Sequence, residues 1–353
     1  MTRSWWAGAT TFLAAGSVLA ASVAYATAGC PRAPLGATFL QPTAAIRARE
    51  SRWNELFDDV RRLGMSEIYL QWSAGVGVME EGEARWPEDP APFVRSVLDR
   101  AARRGLRVWV GLTYTDAWWT RIDRTRLLES VEVYLRRRLF WNGSLATLVA
   151  PVVRDHAAFA GWYVNDEIDD ENWLEEERRV AVARYAHDLT ARLRALTPDR
   201  SVSISGFATG FAPPGLLAEQ WRAIVAGGGP DVVLLQDGIG AGHLTDRELR
   251  IVVPPVRAAV EEAGSDLGMV VELFAQTPGT GTTERPFSAA PARLDRVKAQ
   301  TVTAASLVDG PLVAFSVPDY MSPLAGGAAA DLYRGVLRWE EGCGLLGGGA
   351  PRP

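Results

Sequence analysis

Two glutamates in this chain have the surroundings that acid–base chemistry needs. Glu272 lies inside Gly268-Met-Val-Val-Glu-Leu-Phe274, an otherwise apolar run of β type. A carboxyl in such company loses hydration on burial, which favours its neutral form unless a partner or hydrogen bonds hold the charge. The alternative for Glu272 is a buried ion pair with one of the many arginines. Glu167 closes a second run, Gly161-Trp-Tyr-Val-Asn-Asp-Glu-Ile-Asp169. Side chains on a strand alternate faces, so Tyr163, Asn165 and Glu167 share one side while Asp166 takes the other. Two carboxyls facing each other across a cleft are what glycosidic cleavage requires: one protonates the leaving oxygen, the other attacks or activates water. For most of Asp166, Asp169, Asp170 and Glu171 a solvated turn capping the next helix is the better reading, and their spacing has no ordered calcium pattern.

Composition leaves the work to such carboxylates. The chain has 353 residues, 37 Lys+Arg against 42 Asp+Glu and a formal net charge of −5, so it carries no nucleic-acid footprint. With 48% hydrophobic and 22% charged residues it is expected to fold as an enzyme-sized body. Lys298 is the single lysine, which leaves no Walker loop and one Schiff-base candidate. His156, His187 and His243 never cluster with Cys30 or Cys343 at ligand spacing, so neither a metal nor a cofactor is indicated.

The elements that must position the glutamates follow from an alternation of runs. Strand-type segments read Ala37–Gln41, Glu67–Trp72, Arg107–Thr113, Ala160–Asn165, Val202–Gly206, Val232–Gln236, Met269–Phe274 and Leu312–Val317. Amphipathic stretches follow them, such as Ser51–Leu63, Pro92–Arg104, Arg178–Leu196, Pro214–Val225, Asp246–Ala263, Ala292–Leu307 and Ala329–Trp339. Eight βα units predict a single α/β domain, a (β/α)8 barrel, rather than an open doubly wound sheet. The open sheet needs a phosphate-cradling turn, and Gly238-Ile-Gly-Ala-Gly-His243 is the only candidate, with His243 where the third glycine belongs. The long connection from Asp116 to His156 reads as two helical stretches broken at Asn142-Gly143.

A barrel places chemistry at the C-terminal ends of its strands. Aromatics there, Trp72, Tyr114, Trp118, Trp119, Trp173, Phe274 and Tyr320, offer flat faces for sugar rings, although any one of them alone suits packing as well. Gln41, Gln71, Asn165 and Gln236 offer amides for hydroxyls, and Asp116, Asp237 and Asp319 lie at or near the same ends. A poly- or oligosaccharide is the expected partner, and the body is expected to act as a monomer.

The termini give an address. A short cationic start, an apolar stretch and Ala24-Tyr-Ala-Thr-Ala28 lay out a signal peptide over residues 1–29, so the body at 30–341 is expected outside the cytoplasm. Thr27-Ala-Gly-Cys30 also resembles a lipoprotein box, so either Cys30 carries a lipid, the only membrane attachment then expected, or it pairs with Cys343. Residues 342–353 read as a flexible, Gly-rich tail.

Several segments together, Gly36-Ala-Thr-Phe-Leu-Gln41, Gly64-Met-Ser-Glu-Ile-Tyr-Leu-Gln-Trp72, Gly161–Asp169, Leu235-Gln-Asp-Gly-Ile-Gly240 and Val271-Glu-Leu-Phe274, resemble the bacterial domain of unknown function 4434. That family is similar to the clan A glycoside hydrolases. The resemblance spans about Gly36 to Trp339 and implies Glu167 as acid/base, Glu272 as nucleophile, and retaining hydrolysis of a bacterial exopolysaccharide or related glycan. One departure is plain: clan A places Asn directly before the acid/base, whereas here Asp166 intervenes and Asn165 stands one further back, which a bulge would have to correct. A polysaccharide-binding barrel without hydrolysis, serving assembly or export, and an inverting hydrolase are the competing readings.

Overall fold

The eight apolar runs pair edge to edge in chain order, and the last closes on the first. In the computed structural model, which describes residues 29–75, 88–280 and 285–345, the strands are β1 Ala37–Leu40, β2 Glu67–Leu70, β3 Arg107–Gly111, β4 Phe159–Ile168, β5 Ser201–Gly206, β6 Val232–Gln236, β7 Asp266–Glu272 and β8 Leu312–Phe315. All neighbours are parallel and the barrel is closed, as the βα count predicts. The covering helices are α1 Trp53–Arg62, α2 Pro90–Ala102, α3 Leu128–Val153, α4 Glu176–Leu196, α5 Pro214–Val225, α6 Asp246–Glu262, α7 Leu294–Leu307 and α8 Gly327–Gly342. Among the described residues no helix is long and apolar enough to cross a membrane.

Strand alternation divides the core in two. Leu70, Val108, Val164, Ile204, Val233 and Val271 face outward onto the helices. Phe39, Tyr69, Trp109, Tyr163, Leu234, Val270 and Val313 fill the barrel interior, with Phe315 packed against them. The ring of Phe39 lies 5.3 Å from both Tyr69 and Tyr163 and 5.4 Å from Phe315, and Tyr69 stacks on Trp109 at 5.3 Å. Gly161 makes room for this packing, since a Cβ there would stand 2.3 Å from the Ser201 carbonyl and 2.8 Å from the Trp109 ring. The interior is therefore an aromatic plug.

Three expectations need correction. β4 does not stop at Asn165 but runs to Ile168, with its register against β5 shifting between Val164 and Ile168. The expected break at Asn142-Gly143 is absent: α3 passes straight through it. The Asn142 side chain is committed to buried tertiary hydrogen bonds, so it cannot turn the chain locally, and Gly143 lets Arg192 of α4 approach, where a Cβ would stand 3.2 Å from the guanidinium. Finally, α8 continues through Gly342, so the tail does not begin at 342; of the two alternatives open for Cys30, the structure has its bond to Cys343, with the Cα atoms 5.5 Å apart. In this pairing the Cys30 sulfur is not free to carry a lipid. The predicted leader, Gly29 excepted, and residues 346–353 lie outside the described residues.

The bond ties together residues 313 positions apart. Restricting an unfolded chain over so long a loop is worth up to about 5 kcal/mol in the chain-entropy account. Replacing both cysteines by serine is expected to lower the Tm clearly in a calorimetric scan while leaving the far-ultraviolet dichroism of the barrel intact. An unchanged Tm would mean that the closed ends add nothing to stability.

Candidate active site

Glu167 inherits its direction from the period of β4. Tyr163 points into the barrel, so Asn165 and Glu167 rise on the same inner side at the mouth. Gln236 at the end of β6, inward like Leu234, donates through Nε2 to Glu167 Oε1 at 2.8 Å. Burial raises the Glu167 carboxyl to about 7, with the Gln236 bond opposing the rise and the charge of Asp169 adding to it. Glu167, Asn165, Gln71, Tyr114, Trp118 and Trp119 line a cleft of about 80 Å³. Asn165 Nδ2 donates to the Thr113 carbonyl at 3.0 Å, leaving its Oδ1, like Gln71 Oε1, a buried acceptor with no partner. Two such acceptors beside a protonated carboxyl suit a ligand rich in hydroxyl donors. Strand alternation thus brings Asn165 to the cleft beside Glu167 although Asp166 intervenes and borders the same cleft.

Asp166 points the other way and is no solvated cap. Arg138 of α3, fully buried, pairs with it at 2.6 Å, Asn142 Nδ2 donates at 3.0 Å and the Tyr185 hydroxyl donates as well. Arg138 Nη2 also donates to the Thr113 carbonyl at 2.7 Å, the oxygen that Asn165 uses. One buried cation therefore fixes the outer side of β4 and the end of β3 together. Asp169 and Asp170 are buried too: Asp169 accepts from the amides of Glu171 and Asn172, and Asp170 from those of Thr209, Phe211 and Ala212. Their charges organise loop backbone, not solvent.

Glu272 ends β7 on the inner side, in phase with Val270, and is 3% exposed. The glycine-rich loop after β6 covers it, with the Ala241 amide donating to Oε2 at 2.8 Å and the Gly240 amide adding to that bond. The turn weighed as a phosphate cradle is thus a carboxylate cradle supplied by the protein itself. Gly240 permits the approach, because a Cβ there would stand 2.4 Å from the Phe274 carbonyl and 2.8 Å from Glu272 Oε2. Gln276 clamps the loop by donating its amide to the Gly240 carbonyl at 2.9 Å. Burial and the negative charge of Asp237 push the Glu272 carboxyl up, against the pull of the loop amides and of Arg296.

Asp237 corrects a prediction, for it does not face the mouth. It is 1% exposed, on the outer side of β6, where Gln300 of α7 donates to it at 2.6 Å and the Ile239 amide at 3.2 Å. Burial raises its carboxyl as well. Trp173 is fully buried and packs on Trp118, so it offers no sugar face, and Phe274 is closed in by Phe287, Phe315 and Tyr320. Trp118 is buried as well, its Nε1 donating to the Glu167 carbonyl at 3.0 Å. Strand-end aromatics serve cores as readily as rims, and nothing in their spacing separates the two uses.

Others do reach the rim. Trp72 stacks on Tyr114 at 4.6 Å, and Tyr114 and Trp119 are 43% and 40% exposed. Gln41 is half-buried at the end of β1, and Asp116 is exposed. Asp319 accepts from the Ser316 hydroxyl in the turn after β8. The neighbouring Tyr320 phenol is pushed up to about 12 by burial and by the charges of Asp319 and Glu272. Sequence reading missed Phe207 and His243, which stack at 5.3 Å beside Trp119, and Arg296, which donates to backbone carbonyls of Glu272 and Phe274. The exposed His243 followed a glycine turn, which drew attention to phosphate instead.

The closed ring of eight parallel strands covered by helices is a (β/α)8 barrel, with glutamates on inward positions at the ends of β4 and β7. The model for domain of unknown function 4434 matches residues 35–326, and the chain belongs to that family. A curated relative, the uncharacterized protein YbcH of Escherichia coli (strain K12), is 27% identical over 239 residues, which are 67% of this chain and 75% of that protein. Among solved structures, a candidate alpha-L-fucosidase from Bacteroides thetaiotaomicron superposes with a TM-score of 0.63 at 16% identity, covering 88% of this chain and 95% of that one. The endo-beta-1,4-mannanase of Thermotoga petrophila gives 0.59 at 12% identity, over 91% and 78%. At these identities the likeness is one of fold.

Replacing Gly240 by alanine is expected to displace the loop from Glu272 and to lower stability by about 1–3 kcal/mol, the usual cost of forcing atoms into a filled site. Chemical denaturation would show it as a lower midpoint, whereas Gly215→Ala, in open space on α5, should leave the midpoint in place.

Proposed function

We propose that this chain is a glycoside hydrolase acting on a poly- or oligosaccharide by a retaining double displacement. The observation that carries the reading is the placement of Glu167 and Glu272 on inward positions at the C-terminal ends of β4 and β7, where Glu167 is half-buried and Glu272 buried. Glu167, raised to about 7 and hydrogen-bonded to Gln236 through Oε1, is about half protonated at neutral pH, and the protonated form can deliver its proton to a leaving oxygen. Glu272 attacks the anomeric carbon once ionised, and the Ala241 and Gly240 amides stabilise that ionised form. Water, deprotonated by Glu167, then releases the sugar with its configuration retained. Gln71, Asn165 and the exposed faces of Tyr114 and Trp119 hold the sugar.

A second reading, a barrel that binds polysaccharide without cleaving it, is favoured by one observation: Glu272 is 3% exposed beneath the Gly240-Ala241 cradle, so attack requires the loop to lift. The predicted leader and the Cys30–Cys343 bond support export in either case, since disulfides persist in oxidising compartments.

Kinetics separate the two readings. Glu272→Gln should abolish turnover of a glycan that the parent cleaves while leaving its Kd nearly unchanged. Glu167→Gln should slow natural glycans by about 10²–10⁴-fold yet spare aryl glycosides whose leaving group needs no proton. A parent protein that binds glycans and cleaves none across a broad panel is the outcome for the binder.

The productive form needs Glu167 protonated and Glu272 ionised, and burial holds both above the ordinary carboxylate range. The kcat/KM profile is therefore expected to be a bell centred at or above neutrality, whose limbs belong to the pair. Asp237→Asn removes a negative charge that raises Glu272, so a larger share of the protein should hold Glu272 ionised and kcat/KM on the acid side of the bell should rise. An acid-side kcat/KM that does not rise would show that Glu272 is not the group being deprotonated.

A further inference from the structure

A second cavity is roomier than the one beside Glu167. It is a cleft of about 340 Å³ between the single-turn helix Trp118–Ile122 and α3, and Arg121, Arg126 and Arg137 line it against one carboxylate, Glu129. Tyr134, 6% exposed, floors it. The guanidinium groups of Arg121 and Arg137 have no hydrogen-bond or ion-pair partner among the described residues, although the protein carries more carboxylates than basic groups and pairs many of its other arginines. Arg126 is held in place, its Nε donating to the Thr120 carbonyl at 3.1 Å. Its own carbonyl accepts from the buried Arg178 at 3.1 Å, which also donates to Asp123 and so pins the turn from 122 to 126.

The same short helix borders both clefts. Trp118 and Trp119 line the one beside Glu167, and Arg121 lines the arginine cleft. Positions three apart share a helix face, so Trp118 and Arg121 lie about one turn apart, roughly 5 Å along the axis. Trp118, which lines the first cleft, packs against Tyr134, which floors the second, with ring centroids 6.1 Å apart, so the clefts lie one layer of rings apart, within the reach of neighbouring sugar units.

We propose that the arginine cleft is a subsite for an anionic sugar unit, so that the glycan this barrel acts on bears carboxylate, sulfate or phosphate groups. The inference rests on the glycan reading of the Glu167–Glu272 site and adds the substrate class to it. Arg121 and Arg137 supply unpaired planar donors that match an oxyanion, and Arg126 supplies a fixed third charge.

The test uses the Glu167→Gln protein, to prevent turnover, and titrates it calorimetrically with a panel of oligosaccharides in which each neutral sequence has a uronate-bearing and a phosphate-bearing counterpart of equal length. The acidic members should bind about tenfold more tightly at low salt, the size expected from two partly exposed charge-assisted contacts, and the preference should fade as salt is raised. Arg121→Gln with Arg137→Gln should erase the preference and leave the affinity for neutral members within about twofold. Which acidic series responds identifies the anion. An acidic preference that survives the double variant, or neutral binding with no acidic preference, overturns the subsite while leaving the glycoside hydrolase reading intact. Free glucuronate or inorganic phosphate bound as tightly as the acidic oligomers also overturns it, since the cleft would then hold a free anion and not a sugar chain. If no member binds, and the parent protein cleaves none, the glycan reading fails and the subsite fails with it.

Discussion

Desolvation of carboxyl groups organises the open end of this barrel. Glu167 and Glu272 occupy inward positions where burial, and not a neighbouring acid or base, is the largest influence on their protons. Such groups are costly to bury, and the surrounding protein meets that cost with amides: Gln236 for Glu167, the Gly240 and Ala241 backbone for Glu272. Neutral donors hold a carboxyl in place without neutralising it as a cation would, which keeps each group able to gain and lose a proton.

The adjacent outward positions carry buried carboxyls too, and these anchor the helical layer. Asp166 follows Asn165 on β4 and is met by a buried arginine, an asparagine and a tyrosine, while Asp237 follows Gln236 on β6 and is met by Gln300 and a backbone amide. Because a strand alternates faces, the sequence Asn-Asp-Glu splits into two inward groups for the cleft and one outward anchor on α3. Removing Arg138 would strand the Asp166 charge in a dry interior, where breaking such a pair costs about 3–5 kcal/mol. That anchor, shared through the Thr113 carbonyl with Asn165, couples the stability of the helical layer to the geometry of the mouth.

Much of this was legible from residue order. Eight apolar runs between glycine and polar turns fixed the number of strands, and period-two alternation put Asn165 and Glu167 on one side and Asp166 on the other before any contact was known. What stayed hidden depended on residues distant in the chain. Asn142-Gly143 reads locally as a turn, yet Asn142 is taken up by Thr113, Asp166 and Tyr185, so tertiary hydrogen bonds override the local preference. The glycine turn at 238–242 carries the composition of an anion cradle and is one, but the anion is Glu272, a carboxylate far along the chain that no local motif could identify. Trp173 and Phe274 looked like rim platforms because a strand-end aromatic has the same sequence signature whether it packs or protrudes.

Convergence of Glu167 and Glu272 on one sugar-sized space is the central claim, and a crystal structure of the Glu167→Gln protein soaked with oligosaccharides tests it most directly. A sugar ring lying between the two side chains, with the Gly240-Ala241 loop lifted and the anomeric carbon facing Glu272, is the predicted result. Sugar bound elsewhere on the rim, with the loop still closed over Glu272 in every soak, would contradict it.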